Sequence, residues 1–233
     1  MITAAALCPG PPLLARELTG ADPVVPDLRE ACRQAVAGLL ASRPELVAVV
    51  GAAEQTADWD PAGRLDLAPY APVLGRSRPA GGPPLPLSLG LGTDLLDQAG
   101  YSGPRVLQSV SPDEPPAECA KLGADLAGRA ARVALLVMAD GSARRGRRAP
   151  GYLDERSAPF DAEVERAVRD GDLDALLAVD PVLARELMAT GRPAWQVLAG
   201  AMAGSRPRAE IRYAGDPFGV AYLVATLTTW SPH

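Results

Sequence analysis

Histidine is almost absent: His233, the last residue, is the only one in 233. An iron centre of two imidazoles and a carboxylate therefore cannot be assembled in the usual way from one protomer, and catalytic zinc sites ordinarily take at least one histidine. Ser-His and Cys-His nucleophile pairs fail for the same reason. Cysteine is sparse as well. Cys8, Cys32 and Cys119 are odd in number, far apart and without a C-x-x-C pair, so reduced thiols are expected rather than a disulfide framework or a zinc knuckle. No G-x-x-x-x-G-K-[ST] stretch occurs, which removes the ordinary phosphate-binding loop. The longest apolar run, "VALLVMA" at 133–139, is far short of the roughly 20 residues that cross a bilayer. The N-terminal apolar run has no Lys or Arg ahead of it and is broken by prolines, unlike a secretory leader, and bulky Leu7 precedes Cys8 where lipoprotein cleavage needs a small residue. A cytoplasmic chain without a membrane partner is expected. Cations are in deficit too: the formal charge of -5 works against polyanion binding, so nucleic acid is not an expected partner.

What is present points to a single α/β domain over residues 1–233. Apolar residues make up 48% of the chain, enough for one substantial core. Residues 2–8 read as a buried strand ending in the turn Pro9-Gly10-Pro11-Pro12. Leu28, Ala31, Cys32, Ala35, Val36, Leu39 and Leu40 then recur at helical spacing, with Asp27 as the expected N-cap and Arg43-Pro44 as the stop. "ELVAVVG" (45–51) is a second buried strand, and this order predicts a central twisted, mostly parallel sheet flanked by helices. Residues 60–86 form a long Pro/Gly-rich loop. "LPLSLGLG" (85–92) reads as a strand and "TDLLDQAG" (93–100) as a short helix closed by Gly100. A weak strand at 104–110, a helix around 114–130 and the strand "RVALLVMAD" (132–140) follow. The last third is mostly helical, with Asp180-Pro181 as a helix start and Gly191 as a stop. Two strand-like runs joined by Ala-Gly-Asp-Pro end the chain, as a hairpin or an edge strand pair.

Several residues at strand exits are candidates for a pocket. Cys8 ends the first strand, where a reactive thiol and a small buried hydrophobe are both readings, the second being commoner. Asp140 and Ser142, in "ADGSA", serve either a hydrogen-bonded turn or a ligand. Glu54 follows the second strand with the same ambiguity. Arg144, Arg145, Arg147 and Arg148 form a basic cluster that is either a solvated loop or a grip on a small anionic ligand at the carboxyl end of the sheet. "GLGTDL" (90–95) imitates a dinucleotide-binding turn only weakly and reads as a plain strand-to-helix turn.

Four stretches, "ALCPGPPLL" (6–14), "VALLVMADGSARRGRRAPGYLDERSAPFD" (133–161), "AWQVLAGA" (194–201) and "DPFGVAYLVA" (216–225), together resemble the class III extradiol ring-cleavage dioxygenase family of catalytic, B-type subunits, and more distantly the Memo-like proteins. The resemblance implies an α/β fold and, in active members, Fe(II) held by two histidines and a glutamate, with a further histidine as acid/base. Carried onto this chain, the first metal histidine falls on Gly10, two residues before Pro12. The second falls within Gly51, Ala52, Ala53 and Glu54, the catalytic histidine on Ala143, and the glutamate, four residues before Trp195, on Gly191. No imidazole stands at any of them.

The expectation is a non-catalytic homologue with no cofactor, which keeps the scaffold and binds a small anionic or aromatic molecule or acts as a scaffold. The pocket would draw on Cys8, Gly10, Glu54, Asp140, Ser142, Arg144 and Arg145. Two alternatives stand beside it. One is a ring-cleavage-like oxidoreductase with an atypical metal site, built from Cys8, Glu54 and Asp140 or completed by His233 of a neighbouring protomer. The other is a protein-interaction module, including a homo-oligomer, that docks through the 60–86 loop or the final hairpin.

Overall fold

The computed structural model describes residues 1–19, 24–71 and 82–229. Four parallel strands form the centre of a seven-stranded sheet: β1 (Ile2–Cys8), β2 (Leu46–Ala52), β6 (Arg105–Val110) and β7 (Val133–Met138). Three more, β3 (Ala57–Trp59), β8 (Pro207–Gly215) and β9 (Tyr222–Thr229), are added antiparallel at its flanks. The sheet order is β3-β6-β2-β7-β1-β9-β8. A separate parallel pair joins β4 (Arg64–Leu65) to β5 (Pro84–Leu85). The mostly parallel sheet and the terminal hairpin match the expectation from sequence.

Alternation along the buried strands divides the core into two layers. Val133, Leu135 and Val137 face α4 (Pro116–Ala127), α5 (Ser157–Asp170), α6 (Leu173–Leu177) and α8 (Arg192–Ala201). Ala134, Leu136 and Met138 face α2 (Pro26–Ala41) and α3 (Leu87–Gln98). Both faces of the central strands are covered, which is why they read as continuous apolar runs rather than alternating ones. Among the described residues the other α-helices are α1 (Arg16–Thr19) and α7 (Pro181–Glu186), and Pro12–Leu14 form a 3-10 turn.

The largest departure from the sequence reading is "LPLSLGLG". Only Pro84–Leu85 are extended, and residues 87–98 are the single helix α3, so "GLGTDL" lies inside a helix and is no strand-to-helix turn. Leucines at 85, 87, 89 and 91 mimic a two-residue period, but Gly92 brings this helix against the large sheet and Gly90 brings it against β4. A Cβ on Gly92 would stand 2.5 Å from Val49, and one on Gly90 2.8 Å from the Leu65 backbone. Packing at that range outweighs the low helix propensity of glycine.

Two smaller corrections concern helix ends. Asp27 is not the cap of α2: Val25 holds that place, Pro26 is the first helical residue and Asp27 lies in the first turn. Gly191 is no stop either. The chain turns after α7 at Met188, whose φ is 56°, and Gly191 precedes α8 with a right-handed φ of -72°. Asp180 does cap α7, accepting the Val182 N–H at 2.8 Å. Of the 60–86 loop, residues 72–81 lie outside the described residues, as does His233.

Candidate functional site

Cys8, Met138 and Gly51 lie level on three adjacent parallel strands, since Cys8 pairs with Met138 and Met138 with Gly51. The segments that leave these strands therefore emerge side by side, at the carboxyl edge where open α/β sheets bind ligands. The centre of the group is Asp140, just after β7. Its Oδ1 accepts the Gly10 N–H at 2.8 Å, and its backbone oxygen accepts the Gly191 N–H at 2.8 Å. Burial with that one N–H for compensation pushes the Asp140 carboxyl up to about 6.

The strand exit is then fastened on every side. Gly141 donates to Ala221 at 2.9 Å, Ala143 to Leu187 at 3.0 Å, and Ala221 to Ser142 at 2.8 Å. Buried Ser142 gives Asp161 two bonds, from its backbone N–H at 2.9 Å and its hydroxyl at 2.5 Å. Asp161 is raised by burial, against the opposing pull of these donors and of Arg145. Arg144 donates to the Gly151 and Glu186 carbonyls at 2.6 and 2.9 Å. Arg145 pairs with Asp216 at 2.8 Å and lies 3.8 Å from Asp161. Arg147 and Arg148 are exposed. The four-arginine cluster is thus half internal clamp and half solvated loop, and the two arginines expected to grip an anion are already engaged by oxygens of the chain itself.

The other residues singled out from sequence separate into different environments. The Cys8 thiol is fully buried on the α2 side, and the neighbouring Cys32 thiol together with burial raises it well above the ordinary range. Glu54 is exposed. Cys8, Glu54 and Asp140 therefore do not form a donor set, and among the described residues no group of three His, Cys, Asp or Glu side chains is placed to hold a metal. The four positions to which the resemblance assigns ferrous iron and its acid/base do not fit them either. Gly10, Ala143 and Gly191 have no donor side chain. At Gly191 the space is filled: a Cβ there would stand 2.6 Å from the Asp140 oxygen and 2.8 Å from Trp195. At Gly51 it would meet Ser88 at 2.5 Å, where α3 closes over β2. Beside Gly10 the nearest atom to a Cβ is Asp140 Oδ2, at 3.8 Å, so only this position has ordinary room.

An open crevice of about 210 Å³ adjoins the fastened turn, between α5 and the turn end of the β8–β9 hairpin. Arg145, Asp161, Glu165, Trp195, Asp216 and Tyr222 line it. Of these, only Arg145 stood among the pocket residues expected from sequence. Asp161 carried one usable signal, its place in the "APFD" that follows the "ADGSA" block, but its bond to Ser142 depends on how α5 lies across β7.

No family model matches the sequence, and no curated protein matches it. Among solved structures, an uncharacterized protein from Escherichia coli K12 aligns with a TM-score of 0.55 and 14% identity, over 97% of this chain and 99% of that one. At that identity the two share a fold across their whole lengths.

Proposed function

We propose that this chain is a non-catalytic, small-molecule-binding homologue of the catalytic subunits of class III extradiol dioxygenases. The observation that carries the reading is the state of the would-be metal positions. Gly10, Ala143 and Gly191 offer no donors, and the Gly191 position is occupied by the Asp140 backbone and the Trp195 ring. Acid/base assistance alone is commonly worth roughly 10²–10⁴-fold in rate, and here its residue and the metal ligands are missing together.

The ligand site under this reading is the crevice beside Arg145. Trp195 and Tyr222 give it aromatic walls, while Asp161, Asp216 and Glu165 bring three carboxylates to it, Asp216 paired with Arg145 and Glu165 with Arg169 outside the lining. That balance favours a small neutral or cationic aromatic molecule over an anion, because Arg145 already pairs with Asp216. Iron loading under anaerobic conditions followed by elemental analysis and a catechol ring-opening assay tests the non-catalytic half. The expected result is no retained iron and no ring opening above buffer, and stoichiometric iron with turnover overturns it. Thermal-shift titration with benzyl alcohol, benzylamine and benzoate tests the binding half. Benzoate is expected to bind weakest, and a flat response to all three overturns it.

A further inference from the structure

A second crevice, of about 460 Å³, lies between α5 and the two helices that follow it, α6 and α7. The chain reverses after α5 at Gly171, whose φ is 65°. With five and six residues, α6 and α7 are too short to cover the length of a 14-residue helix. Phe160, Val164 and Ala167 recur at four- and three-residue spacing on one face of α5, belong to the core and form the floor of the groove. Ala175, Val179 and Leu183 stand across from them and are only half-buried.

The charges at the mouth of the groove are matched within the chain. Arg156 pairs with Asp154 at 2.8 Å and with Glu186 at 2.7 Å. Glu163 pairs with Arg166 at 3.1 Å, and Arg166 also reaches Asp170 at 3.4 Å. The Asp180 carboxylate is taken by the Val182 N–H. An ionic head group would therefore compete with pairs already made. The volume falls within the roughly 300–1,000 Å³ of small-molecule sites. A dozen residues line the groove, against roughly 20–30 a side in a stable protein interface, so a small molecule suits it better than a second copy of the chain.

From Phe160 to Ala167 the floor follows α5 for about 10 Å, at about 1.5 Å a residue, which is the reach of an extended chain of about eight carbons. We propose that this groove binds a linear alkyl chain of that length with an uncharged head group, the chain lying along Phe160, Val164 and Ala167 and the head in water. Removal of apolar surface from water on both partners supplies the affinity. Val164 is the one residue that also lines the crevice beside Arg145, so the groove stands whether or not that crevice binds an aromatic ligand.

Calorimetric titration of the full chain with 1-butanol, 1-hexanol, 1-octanol and 1-decanol tests the proposal. Saturable one-to-one binding is expected, about three- to fourfold tighter for each added methylene up to octanol and level beyond it, since each buried CH₂ contributes a similar increment. Sodium octanoate and octylammonium chloride are expected to bind more weakly than 1-octanol. Ala178 is exposed at the end of α6 and lines this groove but not the other. Ala178→Phe therefore narrows the groove without entering the core. With an unchanged circular dichroism spectrum, it is expected to weaken octanol binding at least about tenfold, the equivalent of about two buried methylenes. Affinity that keeps climbing through decanol, or octanol binding unaltered by Ala178→Phe, would mean nonspecific partition and overturn the assignment. A preference for octanoate or octylammonium would overturn the uncharged head group, and a dimer that octanol dissociates would give the groove to a second copy instead.

Discussion

The carboxylate of Asp140 accepts the backbone N–H of Gly10 at 2.8 Å across 130 residues of sequence. One side chain thereby links the exits of β1 and β7, and its own carbonyl holds the start of α8 through Gly191. In the proposed resemblance, Gly10 and Gly191 are both metal positions. Here they are tied together through Asp140, by its carboxylate and its backbone carbonyl.

Asp140 gives the fold a pH dependence of definite sign. Its carboxyl is raised from 3.8 to about 6, so between those values the folded state holds more proton than the unfolded chain. The contribution is fully present below about 4, falls as pH rises, and is lost above about 6. Asp161 acts in the same direction and Asp154, held near 2 by Arg156, in the opposite one. The difference between wild type and Asp140→Asn isolates the effect. Denaturant melts from pH 3.5 to 7.5 should show that difference sloping by at most about 1.4 kcal/mol per pH unit within the window.

Glycine positions that look alike in sequence should respond oppositely to alanine. Gly10→Ala places its methyl in ordinary contact, 3.8 Å from Asp140 Oδ2, and should change stability by less than about 0.5 kcal/mol. Gly191→Ala drives a methyl to 2.6 Å from a backbone oxygen and should cost about 1–3 kcal/mol. Chemical denaturation of the two variants side by side measures this, and equal stabilities would contradict the packing described here.

The Ser142–Asp161 pair should behave as a fastening of the β7 exit. Asp161→Ala leaves a buried N–H and a buried hydroxyl without their acceptor, a loss of about 1–3 kcal/mol for each unsatisfied group. Ser142→Ala removes one bond and its donor together and should cost about 1 kcal/mol. Thermal melts of both single variants check the order.

The thiols should be silent in the native protein. Cys8 and Cys32 are fully buried, with Cys8 raised well above its ordinary value, and burial pushes Cys119 up to about 11. A thiol reagent at neutral pH should label none of the three at an appreciable rate, because the thiolate is the reactive form. Full labelling should appear on unfolding, and rapid native labelling of Cys8 would mean that the α2 face opens.

The sequence by itself determined the central strands, the parallel sheet and the terminal hairpin. Val133–Met138 and Leu46–Ala52 are buried on both faces, and strands so placed must be apolar throughout. It also determined the shortage of imidazole, which is a matter of composition and needs no coordinates. Tertiary structure alone decided the helix at residues 87–98, because the close approach of Gly90 and Gly92 to Leu65 and Val49 depends on partners distant in the chain. It alone decided that Arg144 and Arg145 are engaged internally while Arg147 and Arg148 are not, since their partners Gly151, Glu186 and Asp216 are supplied by later segments. The buried charge of Arg192 was equally hidden. Local sequence makes it one more arginine at a helix start, and only the packing of α8 against the 112–114 segment takes it out of water.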